Sequence, residues 1–271
     1  MMRDYFDSVG VDCFAVLRYS DCREINERLR LDLDFTPRSA IIFLLPYYAG
    51  ETVNISRYAA SLDYHTVLKE TCDGLADTLK RQYPDAHFAG YGDHSPINEV
   101  HAALIAGLGI RGDNGLIINS KYGSYVFVGD LLTDIEPELL GAVEPTRPGE
   151  CLHCGACKRA CPTGILRGEG EDCLSAITQR KGDLAEGEVA LMRKYNTAWG
   201  CDECQSACPY NKNPILTPVE FFYRERLPHL TLDLLKGMTR VEFSRRAFAW
   251  RGRKTVERNL AILSEVNPDC K

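Results

Sequence analysis

Eight of the twelve cysteines lie between residues 150 and 211, and their spacing constrains this chain more than any other feature. The stretch opens with C-x2-C-x2-C-x3-C-P and closes with a shorter run, C-x2-C-x3-C-P. The first spacing is typical of a cubane iron–sulfur cluster held by three cysteines, with the fourth cysteine ligating a second cluster. The pattern therefore predicts two four-iron clusters that draw cysteines from both runs.

Counting ligands assigns every cysteine of this stretch. The second run lacks a middle cysteine, so one cluster is a ligand short unless Cys173, which lies between the runs, supplies it. The alternatives are an inert Cys173 beside a three-iron cluster, or two zinc sites, which also use cysteines in fours. The proline after each crossing cysteine favours the iron clusters. The assignment is Cys151, Cys154, Cys157 and Cys208 for the first cluster, and Cys161, Cys173, Cys201 and Cys204 for the second.

The remaining cysteines and the apolar segments bear on the compartment. Cys13, Cys22, Cys72 and Cys270 are scattered, which is unlike the framework of a disulfide-rich secreted protein. The first residues are polar and acidic, so we expect no signal peptide. The longest apolar run, Ala40–Leu45, is too short to span a bilayer. We expect a cytoplasmic protein without a membrane partner, and the net charge of −6 gives no general attraction to nucleic acid.

Strand and helix patterns alternate before the cysteine stretch, which favours an α/β or α+β layered structure. Apolar runs rich in branched residues predict strands, and a helical spacing of apolar residues predicts helices. The predicted strands are Val11–Tyr19, Ser39–Leu45, Gly115–Asn119 and Ser124–Leu132, the last two joined by a turn at 121–123; the predicted helices are Ser61–Tyr83 and Glu99–Leu108.

A linker and a change in composition divide the chain. Residues 141–149 contain two prolines and two glycines, so we expect a linker there. Leu234–Lys271 is predicted to be mostly helical. Three consecutive domains follow from this: an α/β domain over 1–145, a two-cluster domain over 146–215, and a helical segment over 216–271.

The helical segment carries a basic patch. Between residues 240 and 258 there are seven basic residues and two acidic ones, interleaved with aromatic residues. Such a patch is either a phosphate-contacting surface or a solvated face that pairs with acids elsewhere. The basic residues are Arg240, Arg245, Arg246, Arg251, Arg253, Lys254 and Arg258.

A polar turn, Gly92-Asp-His-Ser-Pro96, precedes the second predicted helix. Asp93 in this turn could act as a general acid if burial raised its pKa. The alternative is that Asp93 caps the helix or stabilises the turn. A G-x-G-x-x-G motif after a strand is absent from the sequence, so a dinucleotide-binding fold is not supported.

Several motifs together resemble those of epoxyqueuosine reductases, the cobalamin-dependent iron–sulfur enzymes that complete queuosine synthesis on tRNA. They extend over most of the chain, well beyond the cysteine runs. The motifs are ISRYAASLDYH (55–65), DHSPINE (93–99), GLGIRGDN (107–114), YGSYVFVGD (122–130), CLSAITQRK (173–181) and GCDECQ (200–205).

The resemblance implies a fold, cofactors and a mechanism. It implies an α+β protein in which an α/β-type cobalamin-binding N-terminal domain precedes a bacterial-ferredoxin-like two-cluster domain and a short helical C-terminus. Base-off cobalamin would lie between the first domain and the clusters, electrons from a donor such as flavodoxin or ferredoxin would reach it through the clusters, and Asp93 would donate a proton. Cys173 matches a second-cluster ligand. The candidate cofactor or substrate contacts are Arg57, Tyr58, Tyr64, His65, Asn114 and Ser124.

Two departures from the family pattern keep other functions open. Asp113 stands in a segment where the family usually has a lysine, and little sequence follows the basic patch, where many members continue into a tRNA-gripping extension. Both features favour a paralogue with the same cofactors and a small substrate instead of tRNA. A non-catalytic electron carrier is a further alternative, although a carrier would need little beyond residues 150–211.

Overall fold

The computed structural model describes residues 1–264, which form two compact units. Each unit combines segments that are not consecutive, unlike the three successive domains expected from the sequence. The chain passes from one unit to the other at residues 48, 65, 154, 217 and 221. The first unit contains 1–47, 65–153 and 217–220, and the second contains 48–64, 154–216 and the residues from 221 onward.

Within residues 1–264, seven strands, all in the first unit, make two sheets. The main sheet has the order β1-β2-β6-β3 with every neighbour antiparallel, and the small sheet has the order β5-β4-β7. An antiparallel sheet with helices packed on it is an α+β arrangement. The strands are β1 (Cys13–Arg18), β2 (Ser39–Pro46), β3 (Phe88–Gly92), β4 (Ile110–Arg111), β5 (Ile117–Ile118), β6 (Val126–Thr133) and β7 (Gly149–Glu150).

Eleven α-helices lie within the described residues, four of them before the cysteine stretch. The predicted helices at 61–83 and 99–108 are confirmed as α3 and α4, each shorter than expected. The region from Leu234, predicted to be mostly helical, contains three α-helices and is confirmed as far as residue 264, and residues 265–271 of that prediction lie outside the described residues. The helices are α1 (Met2–Ser8), α2 (Glu27–Leu31), α3 (Tyr64–Lys80), α4 (Glu99–Ile105), α5 (Ala156–Ala160), α6 (Leu174–Gln179), α7 (Glu186–Lys194), α8 (Glu203–Ser206), α9 (Leu232–Gly237), α10 (Arg240–Ser244) and α11 (Arg253–Ser264).

The main sheet is buried on both faces because a helix covers each of them. Ala40, Ile42 and Leu44 of β2 share a core with the α4 residues Ala102 and Ala103. Side chains alternate along a strand, so the other residues of β2 face the opposite side. This explains why β2 reads as a continuous apolar run.

On that opposite side, glycines let α3 approach β3 closely. A Cβ on Gly90 would lie 2.3 Å from Cβ of Cys72, and one on Gly92 would lie 2.4 Å from Leu68 Cδ1. Both distances are far below ordinary carbon–carbon contact, so a larger residue would force the helix away. β3 is thereby held in a fixed position at the start of the polar turn that contains Asp93.

The two strands predicted at 115–119 and 124–132 are present as β5 and β6, but they belong to different sheets. β5 pairs with β4 in the small sheet, whereas β6 pairs with β2 and β3 in the main sheet. A single bridge, Asn119 with Gly123, remains between the two segments. β6 is hydrogen-bonded along both of its edges, by β2 and by β3, whereas β5 has only two residues and could pair with only a small part of it.

The predicted linker is anchored to the first unit. The N–H of Val143 donates to Val16 O and that of Thr146 to Ile105 O, both at 2.8 Å. The segment then ends as β7 beside β4, and the N–H of Cys151 donates to Arg111 O at 3.0 Å. The first cysteine of the cluster stretch is thus hydrogen-bonded to the small sheet.

The second unit is built around a fully buried Trp199. Its apolar core joins Ile55 and Ala59 to residues of the C-terminal helices such as Phe248 and Leu260. The amide of Asn259 in α11 donates to Thr178 O and Ala198 O at 2.6 and 2.7 Å. Through these bonds α11 holds α6 and the segment that precedes Cys201. Within residues 1–264, every helix is too short or too polar to cross a membrane.

Candidate active site and cluster region

The Asp93 loop, residues 93–98, joins β3 to α4 in the first unit. Its second half is held by backbone bonds: Ile25 and Asn26 donate to Pro96 O, at 2.9 and 3.1 Å. Asn98 caps α4, since its Oδ1 accepts from the N–H of His101 at 2.9 Å. Asp93 itself is therefore not the helix cap, which removes one alternative for its role.

Asp93 has a left-handed backbone, with φ of 63°. This region is sparsely occupied by residues other than glycine, and an aspartate held there commonly belongs to a functional turn. Its side chain is 48% exposed, and Oδ2 lies 3.6 Å from Nε2 of His65 in the first turn of α3. The structure therefore brings together Asp93 and His65, which the sequence analysis named separately.

Two further acids lie beneath the Asp93 loop. Oε1 of Glu99 accepts a hydrogen bond from the N–H of Asp93 at 3.0 Å. Asp130 of β6 is completely buried and accepts from Ser95 Oγ at 3.0 Å. Burial raises the pKa of Asp130 to about 7. Burial, with the nearby charges of Asp130 and Asp93, raises the pKa of Glu99 to about 8.

Sequence reasoning missed Glu99 and Asp130. Glu99 resembles an ordinary acid in the first turn of a helix, where it favours the helix dipole. Asp130 carried a usable signal, because it interrupts the apolar strand VFVGDLLT on the face that otherwise packs against α4. A carboxyl at such a position needs an explanation, since burying an unpaired charge is costly.

In the cluster region, the first cysteine run contains the short helix α5, which carries Cys157. Gly155 precedes this helix with a left-handed φ of 69°. Although burial opposes it, N–H groups of Leu166, Thr163 and Gly164 and the hydroxyl of Thr163 lower the pKa of Cys161. Donors gathered around a sulfur stabilise a thiolate, which is the form that ligates iron. The donor set at this residue therefore suits a cluster ligand.

The second run begins directly before α8, and α8 packs against α5. This packing brings the helices that carry Cys157 and Cys204 together. Burial is the main cause that raises the pKa of Cys201 to about 12, and the neighbouring thiols of Cys173 and Cys204 raise it further. Cys173 is thus near enough to Cys201 for its charge to act on that thiol, and its role as a ligand of the second cluster stays a prediction.

Asp202, between two of these cysteines, is clamped by the segment that contains Arg57. The N–H of Arg57 donates to Oδ2 at 2.7 Å and its Nη1 to the same oxygen at 3.1 Å, while Ser56 Oγ donates to Oδ1. The side chains of Arg57 and Asp202 are only 13% and 12% exposed. Arg57 Nη2 also pairs with Glu51 at 2.5 Å. The observed role of Arg57 is therefore to bind the cluster loop.

Tyr58 and Tyr64, two predicted cofactor contacts, lie beside each other in the second unit. Their rings are edge-on with centroids 6.2 Å apart. Nε1 of the buried Trp199 donates to Tyr58 Oη at 3.1 Å. Trp199 thereby orients Tyr58, and both rings are partly accessible.

Asn114 and Ser124 both lie in the first unit. Asn114 Oδ1 accepts from the N–H of Leu116 at 3.3 Å, which shapes the turn between β4 and β5. Ser124 is buried directly before β6. Asp113, the departure from the family pattern, lies 2.7 Å from Nδ1 of His153, and this bond is the main cause that raises the pKa of His153.

The basic patch is largely used within the fold. Arg246 pairs with Glu225 at 3.6 Å, and Arg253 Nη2 donates to Met238 O at 2.8 Å. Arg258 Nη1 donates to Arg180 O at 2.8 Å. Arg245 also pairs with Glu225, at 3.0 Å. Four of the seven basic residues therefore have partners within the fold, which fits the structural interpretation of the patch.

Two known families match separate parts of the chain. The family described as "4Fe-4S double cluster binding domain" matches residues 150–211, and "Epoxyqueuosine reductase QueG, DUF1730" matches residues 33–93. The first match contains all eight predicted cluster cysteines and establishes the double four-iron cluster domain. An epoxyqueuosine reductase of Listeria monocytogenes serovar 1/2a is 35% identical over 267 residues, or 88% of this chain and 67% of that protein.

The chain belongs to the epoxyqueuosine reductase family. The family consists of oxidoreductases, so the prediction of a redox enzyme family is confirmed. An epoxyqueuosine reductase of Escherichia coli K12 is 36% identical over 173 residues, or 62% of this chain but 44% of that protein. The chain thus corresponds to only part of the length of these relatives.

Solved epoxyqueuosine reductases share the fold and confirm the α+β class. The Bacillus subtilis enzyme, with its catalytic aspartate loop swung out of the active site, aligns with a TM-score of 0.77 at 27% identity. An epoxyqueuosine reductase with an epoxyqueuosine-modified tRNA-Tyr stem loop aligns with a TM-score of 0.76 at 26% identity. Each alignment covers 97% of this chain and 80% of the other.

Proposed function

We propose that this chain reduces epoxyqueuosine to queuosine in tRNA, with Asp93 as the proton donor. The observation that carries the proposal is the Asp93 loop in a member of this family: a half-exposed carboxyl on a left-handed turn, 3.6 Å from His65. The solved relative whose catalytic aspartate loop is swung out supports a loop at this position that moves during the reaction cycle.

The proton has a defined task in this reaction. Opening an epoxide leaves an alkoxide, which departs poorly until it is protonated, and a positioned carboxyl can supply that proton. Asp93 is half-exposed without substrate, so the burial that would favour its protonated form comes from the bound substrate. His65 would then orient the carboxyl through the contact already present between their side chains.

The proposed cofactors are the two four-iron clusters, with the ligands assigned by the cysteine count, and base-off cobalamin. When bound, the clusters supply single electrons and the corrinoid supplies a strongly reducing cobalt centre. The N–H donors around Cys161 and the proximity of Cys173 to Cys201 fit the cluster ligands. The phenol faces of Tyr58 and Tyr64, with His65, Asn114 and Ser124, are proposed contacts of the corrinoid or substrate.

The proposed contribution of Arg57 is indirect. Its guanidinium is bound to Asp202 and Glu51, so it would hold the loop of the second cluster. An external donor such as flavodoxin or ferredoxin would supply the electrons, and a cytoplasmic location provides both donor and tRNA.

The test is turnover by anaerobically purified protein containing about eight irons and reconstituted with cobalamin. A tRNA stem loop bearing epoxyqueuosine is incubated with reductant, digested and analysed for queuosine by mass spectrometry. Formation of queuosine that requires cobalamin supports the proposal. Corrinoid binding without product from the stem loop would reject the tRNA substrate, and no corrinoid binding would reject the reductase itself.

One observation favours a second candidate, reduction of a small epoxide or related molecule with the same cofactors. Asp113 is an acidic residue paired with His153, in a segment where the family usually has a lysine. A negative charge repels phosphate, which disfavours RNA at that point. The same assay with the free epoxyqueuosine nucleoside distinguishes the two, since the second candidate turns over the nucleoside at least as fast as the stem loop.

A further inference from the structure

Two carboxyl groups that have no part in the proposed reaction accept hydrogen bonds from the Asp93 loop. Glu99, the first residue of α4, accepts from the N–H of Asp93 at 3.0 Å. Asp130, in the central part of β6, accepts from Ser95 Oγ at 3.0 Å. The two bonds engage residues two positions apart, on either side of His94.

We propose that Glu99 is the positioning residue of Asp93, and that Asp130 anchors the same loop through Ser95. This inference rests on the proposed proton-donor role of Asp93 but concerns how the loop is held. A left-handed aspartate is unfavourable by itself, so the loop needs surrounding contacts to keep that conformation. The Glu99 bond acts at the strained residue, where it has the greatest effect on the direction of the Asp93 side chain.

The anchors are part of the rigid fold. Asp130 lies opposite Ile42 and Tyr91 in the sheet, so β2 and β3 hold it from both sides. Ser95 Oγ also accepts from the N–H of Ile97 at 3.2 Å, which fixes the hydroxyl that donates to Asp130. Glu99 belongs to α4, whose far side is packed on the same sheet.

The environment of both carboxyls favours the neutral form. Burial is the main cause that raises the pKa of Glu99. Asp130 and Asp93, which face it, raise this pKa further, while the hydrogen bond from the Asp93 N–H and the charge of His65 in α3 lower it. Asp130 is faced by Ser95. The charge of Asp130 also contributes to raising the pKa values of four nearby groups, which are Glu99, Tyr91, Cys22 and Cys72. Among residues 1–264, Oδ1 of Asp130 has no hydrogen-bond partner.

A neutral Glu99 can accept from the Asp93 N–H without placing a negative charge beside the Asp93 carboxyl. An amide oxygen can do the same, so Glu99→Gln should preserve the anchor. Glu99→Ala removes the acceptor and leaves the Asp93 N–H to water. A displacement of about 1 Å at a reacting group can lower a rate on the order of 10²-fold, which sets the size of the expected loss.

The experiment compares Glu99→Ala, Glu99→Gln and Ser95→Ala in the cluster- and cobalamin-loaded protein, with Glu70→Ala on the exposed face of α3 as the matched control. Glu99→Ala should lose on the order of 10²-fold in kcat with little change in KM. Glu99→Gln should recover most of that loss at pH 7, and Ser95→Ala should fall between them. The control should equal the parent protein.

Hydrogen exchange of the peptide containing residues 90–98 gives a readout that does not depend on turnover. Glu99→Ala should speed exchange at the Asp93 amide, and Glu99→Gln should not. Equal kcat for Glu99→Ala and Glu70→Ala, or equal damage by Gln and Ala, would overturn the proposal. If the parent protein turns over neither substrate, the proposed function fails, and the exchange data alone decide whether Glu99 holds the loop.

Discussion

Two nearly inaccessible aspartates of this protein have opposite surroundings, one charged and one neutral. Asp202, in the cluster region of the second unit, is paired with Arg57 and accepts three hydrogen bonds from the 56–57 segment. Asp130, under the Asp93 loop of the first unit, accepts one bond from a neutral hydroxyl, and burial raises its pKa to about 7.

The difference follows from what each region has to hold. A metal-binding loop needs a fixed conformation, and a charge compensated by an arginine provides several directional bonds at one point. A loop that places a proton donor is better supported by neutral acids. A full negative charge nearby would repel a negatively charged substrate and shift the pKa of the proton donor. The same residue type is therefore paired with a cation in one unit and buried beside a neutral hydroxyl in the other.

The largest expected effect is at the donor itself. Asp93→Asn removes the acidic proton while keeping the size and polarity of the side chain, so kcat should fall by roughly 10²- to 10⁴-fold. Iron content, corrinoid spectrum and affinity for the stem loop should be retained. Full turnover by this variant would show that the half-exposed carboxyl of the first unit is not the proton donor.

Next in size is the loss of one cluster. Cys173→Ser should lower iron from about eight to about four per chain, because the second cluster loses its fourth thiolate. Cys13→Ser is the control, since Cys13 lies in β1 and outside the cysteine stretch. Iron analysis and electron paramagnetic resonance measure the change. A three-iron signal with most iron retained would instead support the alternative in which Cys173 is inert.

A smaller effect is expected at the Arg57–Asp202 pair. Arg57→Ala leaves Asp202 with its backbone and Ser56 bonds but without a cation, which should cost about 2 kcal/mol, or roughly 4–8 °C in the apparent Tm. Cluster loss on mild heating should begin at the second cluster. Arg57→Lys should recover part of the stability. A variant that loses corrinoid affinity with unchanged cluster stability would restore the cofactor-contact prediction for Arg57.

The smallest effect is a change in pH dependence. The ordinary pKa values are 4.5 for Glu99 and 3.8 for Asp130, and the folded protein raises them to about 8 and about 7. Between the unfolded and the folded pKa of each group, the folded state binds more protons than the unfolded chain. The free energy of unfolding therefore falls as pH rises through this range, and this decrease is complete above about pH 8.

Glu99→Gln removes the contribution of Glu99 to this slope. The apparent Tm, measured anaerobically from pH 5 to 9 in about unit steps, should decline less steeply in Glu99→Gln than in the parent protein. Glu203→Gln, at an acid next to Cys204 in the cluster region, should leave the slope as it is. Parallel curves for Glu99→Gln and the parent would show that Glu99 is ionised well below pH 8, and would remove the contrast between the two regions.

The features that depend on neighbouring residues were readable from the sequence. Cysteine spacing predicted the double cluster domain because each run binds iron within one local turn, and the family match at residues 150–211 confirms that domain. The apolar pattern located β2, α3 and α4 to within a few residues. Asp93 was found as the polar member of a turn before a helix, although its exposure and its contact with His65 were not.

Contacts between distant residues were decided by tertiary structure alone. Arg57 and Asp202 are 145 positions apart, and Ser95 and Asp130 are 35 apart, so no local pattern connects them. Strand pairing is a further example, since the strands expected at 115–119 and 124–132 are present but β6 pairs with β2 and β3, which come from elsewhere in the chain. The sequence by itself determined which chemical groups this protein carries. Folding decided which of its carboxyls are paired with an arginine and which are buried without a cation, because that depends on the burial and the partners that only packing supplies.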